Sequence, residues 1–424
     1  MSTWSPQQEG ALSAVAAWFK SGDTRDPFKL FGYAGTGKTT LARHFAEGID
    51  GEVLFGAYTG KAASVLRAMG CDNASTIHQL IYRPSSKSKR VLRDLQAKLD
   101  DLARSKGFKD RTEAFKDEKW AARVTVQKLA KQIEDELAYL RQPQFALNEA
   151  ALTSDTALLI IDECSMVDKK MADDLLSFGV PILVLGDPAQ LPPVKGGGAF
   201  SGKADFMLTE IHRQAEGNPL IQLATRIRNG ERLAQGEYGK SRVCHRSEIT
   251  KELALAHDQI IVGRNATRHR LNKLMRVWQG LDVAQPPIVG EKLVCLRNDH
   301  DLGLLNGTLW NVDKCQLVGV NAWDGDARLV LGLNEFGVAV PFAISDLIAF
   351  SDTFYGQETN RSWHERKEAQ EFDYGYALTC HKSQGSQWGT VLVRDESHCF
   401  RGTEKEWLYT AVTRACDAVT IAVD

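Results

Sequence analysis

Residues 32–39 read Gly-Tyr-Ala-Gly-Thr-Gly-Lys-Thr, the types and spacing of a loop that holds the phosphates of a nucleotide. The glycines let backbone N–H groups turn toward phosphate oxygens, the Lys38 ammonium meets the β/γ charge, and the Thr39 hydroxyl can coordinate Mg²⁺. Gly32, Gly35, Thr36, Gly37, Lys38, Thr39 and Thr40 are therefore candidate nucleotide contacts. Ile-Ile-Asp-Glu at 160–163 supplies two carboxylates at the end of an apolar run. Asp162 would hold Mg²⁺ through water, and Glu163 would orient and deprotonate the attacking water. The chemistry these motifs point to is hydrolysis of ATP.

Further candidates follow other apolar runs. Gly186-Asp-Pro-Ala-Gln-Leu-Pro-Pro-Val194 is a proline-stiffened loop whose Gln190 can sense a γ-phosphate, although Gly-Asp-Pro is also ordinary turn chemistry. Arg213, in Ile211-His-Arg-Gln214, and Arg414, in Tyr409-Thr-Ala-Val-Thr-Arg-Ala415, can stabilise transition-state charge from across a cleft. A lone arginine is ordinarily a surface ion pair, so only the assembly favours this role. Tyr376-Ala-Leu-Thr-Cys-His-Lys-Ser-Gln-Gly-Ser386 packs hydroxyls, an imidazole, Lys382 and a glycine into one loop, which suits a nucleic-acid backbone and a stacked base. Thr59-Gly-Lys61 and Ser75-Thr-Ile-His78 have similar content. Helix caps at Thr59 and Ser75 and a core role for His78 are equally good readings.

These residues need strands to carry them. Phe28–Phe31 reads as a strand entering the phosphate loop and Thr39–Phe45 as the helix leaving it. Val53–Tyr58, Ala157–Ile161 and Pro181–Leu185 read as further strands of a parallel α/β sheet. Residues 84–143 interrupt it. Leu92, Leu95, Leu99 and Leu102 recur at helical spacing, as do Val126, Leu129, Ile133, Leu137 and Leu140, which predicts a charged two-helix arm bent near Gly107. Its mixed charges suit a solvated face better than a phosphate-binding one. A second α/β unit starts near Leu208, with a strand at Gln259–Val262 and a helix at Ala266–Trp278, and resumes from Tyr374 to the strand Val419–Val423. Between its halves, Lys292–Arg297, Thr308–Val318, Arg328–Leu333 and Val338–Phe342 read as short strands of a small barrel or sandwich. The polar stretch 351–372 reads as a mobile connection.

Bulk composition narrows the class. The 424 residues suffice for two to four domains, and 43% hydrophobic, 25% charged and 8% aromatic content is that of a soluble protein. A net charge of −2 excludes a global basic field, so nucleic acid would have to be met in a local groove. The eight cysteines form no C-x-x-C pair and no zinc-like spacing, which predicts reduced thiols. No signal peptide and no membrane-spanning run is read, so a cytoplasmic location is expected.

The ordered set of motifs resembles the superfamily 1 DNA helicases of the 5′-to-3′ subgroup, the RecD-like type, and within it the small phage Dda-like enzymes. Gln8 matches the adenine-reading Q motif, Gly32–Thr39 motif I, Asp162-Glu-Cys-Ser-Met motif II, Gly186–Pro193 motif III and Ile211-His-Arg-Gln motif IV. His381-Lys-Ser-Gln-Gly-Ser matches motif V and Tyr409–Ala415 motif VI, while the stretches at 59 and 75 look like motifs Ia and Ib. The resemblance implies two RecA-like parallel-sheet domains (1–83 with 144–207, and 208–282 with 373–424). It also implies a wedge insert at 84–143 and an SH3-like β-barrel at 283–350, followed by the connection at 351–372. ATP and Mg²⁺ would sit between the domains, with Lys38, Glu163, Gln190, Arg213 and Arg414 catalytic and Gln8 and Gly385 also touching nucleotide. Single-stranded DNA would cross Thr59, Gly60, Lys61, His78, Thr379, His381 and Lys382. The expected activity is ATP-driven 5′-to-3′ translocation with unwinding at a fork. A monomer is expected, working with single-stranded-DNA-binding or replication proteins in DNA replication, recombination or repair in a bacterial or phage-infected cell. The same motifs also fit a translocase that strips bound proteins, or an ATP-switched recombination accessory protein. Relatives often carry a short β-hairpin where this chain reads helical, so no strand-splitting residue is assigned.

Overall fold

Leu158, Leu159, Ile160 and Ile161 are all fully buried, and a strand dry on both faces belongs inside a helix-covered parallel sheet. Each such side chain contributes roughly 1.5–3 kcal/mol of burial. The structure is a computed structural model that describes residues 4–22, 26–84, 90–141, 145–153, 155–192, 198–210, 217–297, 306–320, 327–335, 343–355 and 369–424, with 299, 302 and 304. The first sheet contains β1 (Phe28–Gly32), β2 (Glu52–Ala57), β3 (Ala74–Thr76), β6 (Thr156–Asp162), β7 (Ile182–Gly186) and β8 (Phe206–Leu208). Its order is β3-β2-β6-β7-β1-β8, every neighbouring pair is parallel, and β6 lies inside it. Because all the strands point one way, the loops after β1, β2, β6 and β7 emerge along one edge. Those loops carry the candidate chemistry. The helix Pro6–Ser21 opens with proline at its first turn and a Ser5/Gln8 capping box, which sets Gln8 beside that edge.

A second sheet has the order β17-β11-β18-β19-β10-β9, parallel throughout except for β9. It comprises β9 (Gly236–Tyr238), β10 (Ser241–His245), β11 (Gln259–Val262), β17 (Ala377–Thr379), β18 (Trp388–Arg394) and β19 (Ala415–Val423). The helices Pro219–Arg228 and Glu404–Val412 supply Leu223 and Trp407 to its core beside Ile261, Val391 and Val419. Leu191, from the loop after β7, is buried in that same core, and Ala34 and Ala189 pack against it. The two sheets therefore meet through the loops of the first.

A third, antiparallel sheet has the order β15-β14-β13-β12-β16. Its strands are β12 (Lys292–Cys295), β13 (Leu309–Val320), β14 (Ala327–Glu335), β15 (Ala343–Phe350) and β16 (Phe372–Tyr374). Two sequence expectations change here. The predicted strand Val338–Phe342 lies outside the described residues, and the strand at 343–350 was not foreseen. Asp346 sits at φ 57 and the register shifts between Leu331 and Leu333, so no clean alternation marks β15. Phe372–Tyr374, read as the end of a connection and the resumption of the α/β pattern, instead pairs antiparallel with β12. Of the expected connection, Asp352–Tyr355 form a 3₁₀ turn and 356–368 lie outside the described residues.

Residues 78–152 form a separate compact unit. Its long helices are Arg90–Arg104 and Val124–Arg141, with short helical turns at Arg111–Ala114 and Glu118–Ala121 between them. Gly107 takes φ 89 at the bend. Trp120 is 1% exposed and packs with Leu99, Ala103, Ala114 and Val126. Asp110 and Asp117 cap the short turns by accepting from the Glu113 and Trp120 amides, and Asp100 pairs with Arg111 at 2.9 Å. An antiparallel ribbon of β4 (Tyr82–Pro84) and β5 (Phe145–Leu147) joins the ends of the insert, so it is not purely helical. Strands of three residues are too short to show a period of two. No helix among the described residues is long and apolar enough to cross a membrane.

Candidate nucleotide-hydrolysis site

β1 delivers the chain into a loop that only glycine permits at several points. A Cβ on Gly32 would lie 2.7 Å from Thr36 Oγ1 and 2.8 Å from Leu208 Cβ, and Gly35 and Gly37 both take φ 81. Thr36 is fully buried and its hydroxyl donates to Tyr33 O at 2.8 Å, closing the turn. Gln8 Nε2 donates to Thr36 O at 3.2 Å, so the helix Pro6–Ser21 braces the loop from outside. Lys38 opens the helix Lys38–Glu47, and its ammonium donates to Gly32 O at 2.6 Å and Tyr33 O at 3.1 Å. The Thr39 hydroxyl donates to Asp162 Oδ2 at 3.1 Å. An ammonium, a hydroxyl paired with a carboxylate, and a helix N-terminus form a donor set that fits a triphosphate with its divalent cation.

Lys38 and Thr39 line a cavity of about 330 Å³ with Gly35, Gly37, Thr40, Asp162, Glu163, Gln190, Gly385 and Arg414, whereas Gln8, Gly32 and Thr36 stand behind it. Asp162 Oδ1 accepts the Glu163 amide at 2.8 Å, and Glu163 sits at φ 54, a strained conformation for a residue with a side chain. Burial pushes both carboxyl pKa values up. For Asp162, Lys38 is the main opposing charge; for Glu163 it is Arg414, with Asp162 adding to the rise. Arg414 NH1 lies 4.0 Å from Glu163 Oε1 and is buried, with its Nε donating to Thr410 O at 3.0 Å. Gln190 Oε1 is buried without a hydrogen-bond partner among the described residues. Arg213 lies outside the described residues.

The second sheet reaches this cavity through the helix Glu404–Val412. Tyr409 OH donates to Asp187 Oδ2 at 2.8 Å and accepts the Ala34 N–H at 2.9 Å, so one hydroxyl joins the loops after β1 and β7. Burial, with the Asp187 charge beside it, raises the Tyr409 pKa and keeps that hydroxyl protonated. The Arg228 guanidinium lies 3.6 Å from the centre of the Tyr33 ring.

The residues singled out for nucleic acid divide into three groups. The Thr59 hydroxyl caps the helix Gly60–Ala68 by accepting the Ala62 amide at 3.2 Å, while Gly60 and Lys61 are half-buried in its first turn. Gly385, at φ 72, approaches so closely that a Cβ there would lie 2.6 Å from Thr59 Oγ1. Thr379 ends β17, and His381 and Lys382 lie in the helical turn Cys380–Ser383 that follows it. The His381 ring lies 5.8 Å from Phe400, and burial lowers its pKa. Lys382 is half-buried; burial and the nearby Arg268 charge pull its ammonium down to about 8, against the attraction of Asp373. His78 belongs to the separate unit, where its ring lies 4.9 Å from Tyr82. Ser75 lies on β3 rather than at a helix cap.

Tyr33, Ala34, Asp187, Gln387 and Thr413 line the cavity without having been singled out from sequence, and Tyr409 bridges it. Asp187, Thr413 and Tyr409 stand inside motif strings that were read, whereas nothing in the sequence marks Gln387 as a cavity residue.

Comparison with known proteins places this geometry in context. A family model described as an AAA domain matches residues 4–247, and one described as a UvrD-like helicase C-terminal domain matches 374–422. The chain is 29% identical over 290 residues to the ATP-dependent RecD2 DNA helicase of Deinococcus radiodurans, covering 61% of this chain and 35% of that protein. It is 26% identical over 310 residues to the RecBCD enzyme subunit RecD of Mycolicibacterium smegmatis, covering 62% of this chain and 49% of that one. The matches thus span about half or less of these relatives' length. Among solved structures, the Pif1 helicase of Candida albicans aligns over 100% of this chain and 95% of its own, at 17% identity and TM-score 0.47.

Proposed function

The chain belongs to the AAA domain family, and on that premise we propose that it is an ATP-driven DNA helicase. In this reading it moves 5′-to-3′ along single-stranded DNA and separates the complementary strand. The observation that carries the proposal is one cavity in which the phosphate loop and paired carboxylates of one parallel sheet face Arg414 from another. A site shared in this way makes hydrolysis depend on how the two sheets approach each other, which is what a motor requires. The partial likeness to the RecD2 DNA helicase supports the choice of DNA, and the direction rests on the motif resemblance.

Roles follow residue by residue. Thr39 and Asp162 would hold Mg²⁺, which when bound neutralises charge on the β- and γ-phosphate oxygens. Lys38 swings from the loop carbonyls to the phosphates, and Gln8 and Gly385 flank the nucleotide beside Gly32–Thr40. Glu163 orients and deprotonates the attacking water, with Gln190 supplying its unpaired oxygen nearby. Arg414, joined by Arg213, stabilises developing charge. Thr59, Gly60, Lys61, His78, Thr379, His381 and Lys382 contact the strand. The two parallel sheets act as RecA-like domains, the antiparallel sheet as an SH3-like barrel, and residues 84–143 as the wedge.

Replacing Glu163 with Gln is expected to preserve ATP and oligonucleotide binding while lowering turnover about 10²- to 10⁴-fold, as steady-state hydrolysis would show. Turnover left intact would remove the general base from the scheme. On duplexes bearing a single-stranded tail at one end only, the 5′-tailed substrate should unwind faster. A preference for the 3′ tail would reverse the assigned direction. Oligonucleotide affinity should also fall between pH 7 and 9, because the Lys382 charge is lost through a pKa of about 8. Lys382→Arg keeps its charge across that range and should flatten the profile. An equally steep fall in that variant would exclude Lys382 as the titrating contact.

A further inference from the structure

Leu191 directly follows Gln190, yet both of its backbone polar groups are held by the second lobe. Its N–H donates to Thr410 Oγ1 at 2.7 Å, and its C=O accepts from Gln384 Nε2 at 2.7 Å. All three residues are buried: Leu191 is 2% exposed, Thr410 0% and Gln384 4%. Water cannot replace either bond, so leaving a partner unpaired is costly and the joined segments move together. Gln384 Oε1 has no partner among the described residues, so the bond to Leu191 is the side chain's anchor.

Each end of this bridge leads to a functional element. Gln384 stands two residues after Lys382, just past the residues assigned above to single-stranded DNA. Thr410 lies on the helix Glu404–Val412, and its carbonyl accepts Arg414 Nε at 3.0 Å. Arg414 in turn lies 4.0 Å from Glu163. One path from loop to carboxylate is therefore Gln384, the Leu191 backbone, Thr410, Arg414 and Glu163; Ser386 O, further along the same loop, also lies 3.5 Å from Arg414 Nη1. At these lengths a shift of the loop by less than an ångström strains the first bond unless Leu191 follows.

We propose that the Leu191 backbone is an element through which occupancy of Thr379, His381 and Lys382 sets the placement of Arg414, with Gln384 and Thr410 as positioning residues. The inference rests on the nucleic-acid reading of that loop. It assigns neither residue a contact with nucleotide, and neither lines the cavity.

The test uses the full chain with Gln384→Leu, Thr410→Val, the double variant and Thr410→Ser. A thymidine oligonucleotide and a non-hydrolysable ATP analogue serve as probes. Two quantities are read: the stimulation of hydrolysis by the oligonucleotide, and the factor by which the analogue changes oligonucleotide affinity in fluorescence anisotropy. In the wild type we expect the second factor to be about 5- to 150-fold. Both factors should fall toward one in each single variant, while nucleotide-free oligonucleotide affinity stays within about twofold. Linkage requires the analogue and the oligonucleotide to lose their mutual effect on binding equally. The double variant should be no worse than either single one, because both cut the same path. Thr410→Ser should restore coupling, and thermal unfolding midpoints identify any variant that merely fails to fold.

Wild-type coupling retained in both single variants, or losses that multiply in the double variant, would overturn the relay and leave the helicase reading standing. A wild type that hydrolyses ATP without responding to the oligonucleotide would overturn that reading, and the relay with it.

Discussion

A guanidinium and a carboxylate 4.0 Å apart, Arg414 and Glu163, join two parallel sheets across a shared cavity. Asp162 and Glu163 are adjacent, half-buried acids, and burial favours protonation of both. Arg414 is the strongest force holding Glu163 ionised, and it comes from the other sheet. The proposed base, which would work only when anionic, thus depends on the approach of a distant part of the chain.

Two features hold the arrangement. Parallel strands bring the loops after β1, β6 and β7 to one edge, so residues far apart in the chain share a cavity without long excursions. The junction between the sheets is also specific: Leu191 is buried in the second sheet's core, and the Tyr409 hydroxyl is shared between Asp187 and Ala34. Apolar burial supplies the attraction, and the buried hydrogen bonds fix the register, because displaced donors and acceptors find no water.

The phosphate loop and the Asp162–Glu163 pair were legible in sequence because their chemistry is local: consecutive residues at strand ends, with types that few other tasks require. The bridging groups were not. Tyr409 and Asp187 are 222 residues apart, and nothing near either one indicates that they share a proton. Lys382 reads from sequence as one of a loop's phosphate donors, but Arg268 and Asp373, on other elements, set its environment. Thr59 stands in a string that suits a nucleic-acid contact, and its side chain caps a helix, one of the two readings its sequence allowed. In the fold, the long buried strands were plain. β15 was hidden by a left-handed residue at Asp346, and the ribbon at 82–84 and 145–147 by its three-residue strands. Arg213 lies outside the described residues, so its part rests on motif resemblance.

The most direct test of a site shared by two lobes is Arg414→Ala, with nucleotide affinity and turnover measured on the same preparation. The account predicts that turnover falls by about 10³-fold or more, while affinity for a non-hydrolysable ATP analogue changes by less than about tenfold. Turnover within about tenfold of the wild type would show that one lobe hydrolyses ATP without the other, and would contradict the account.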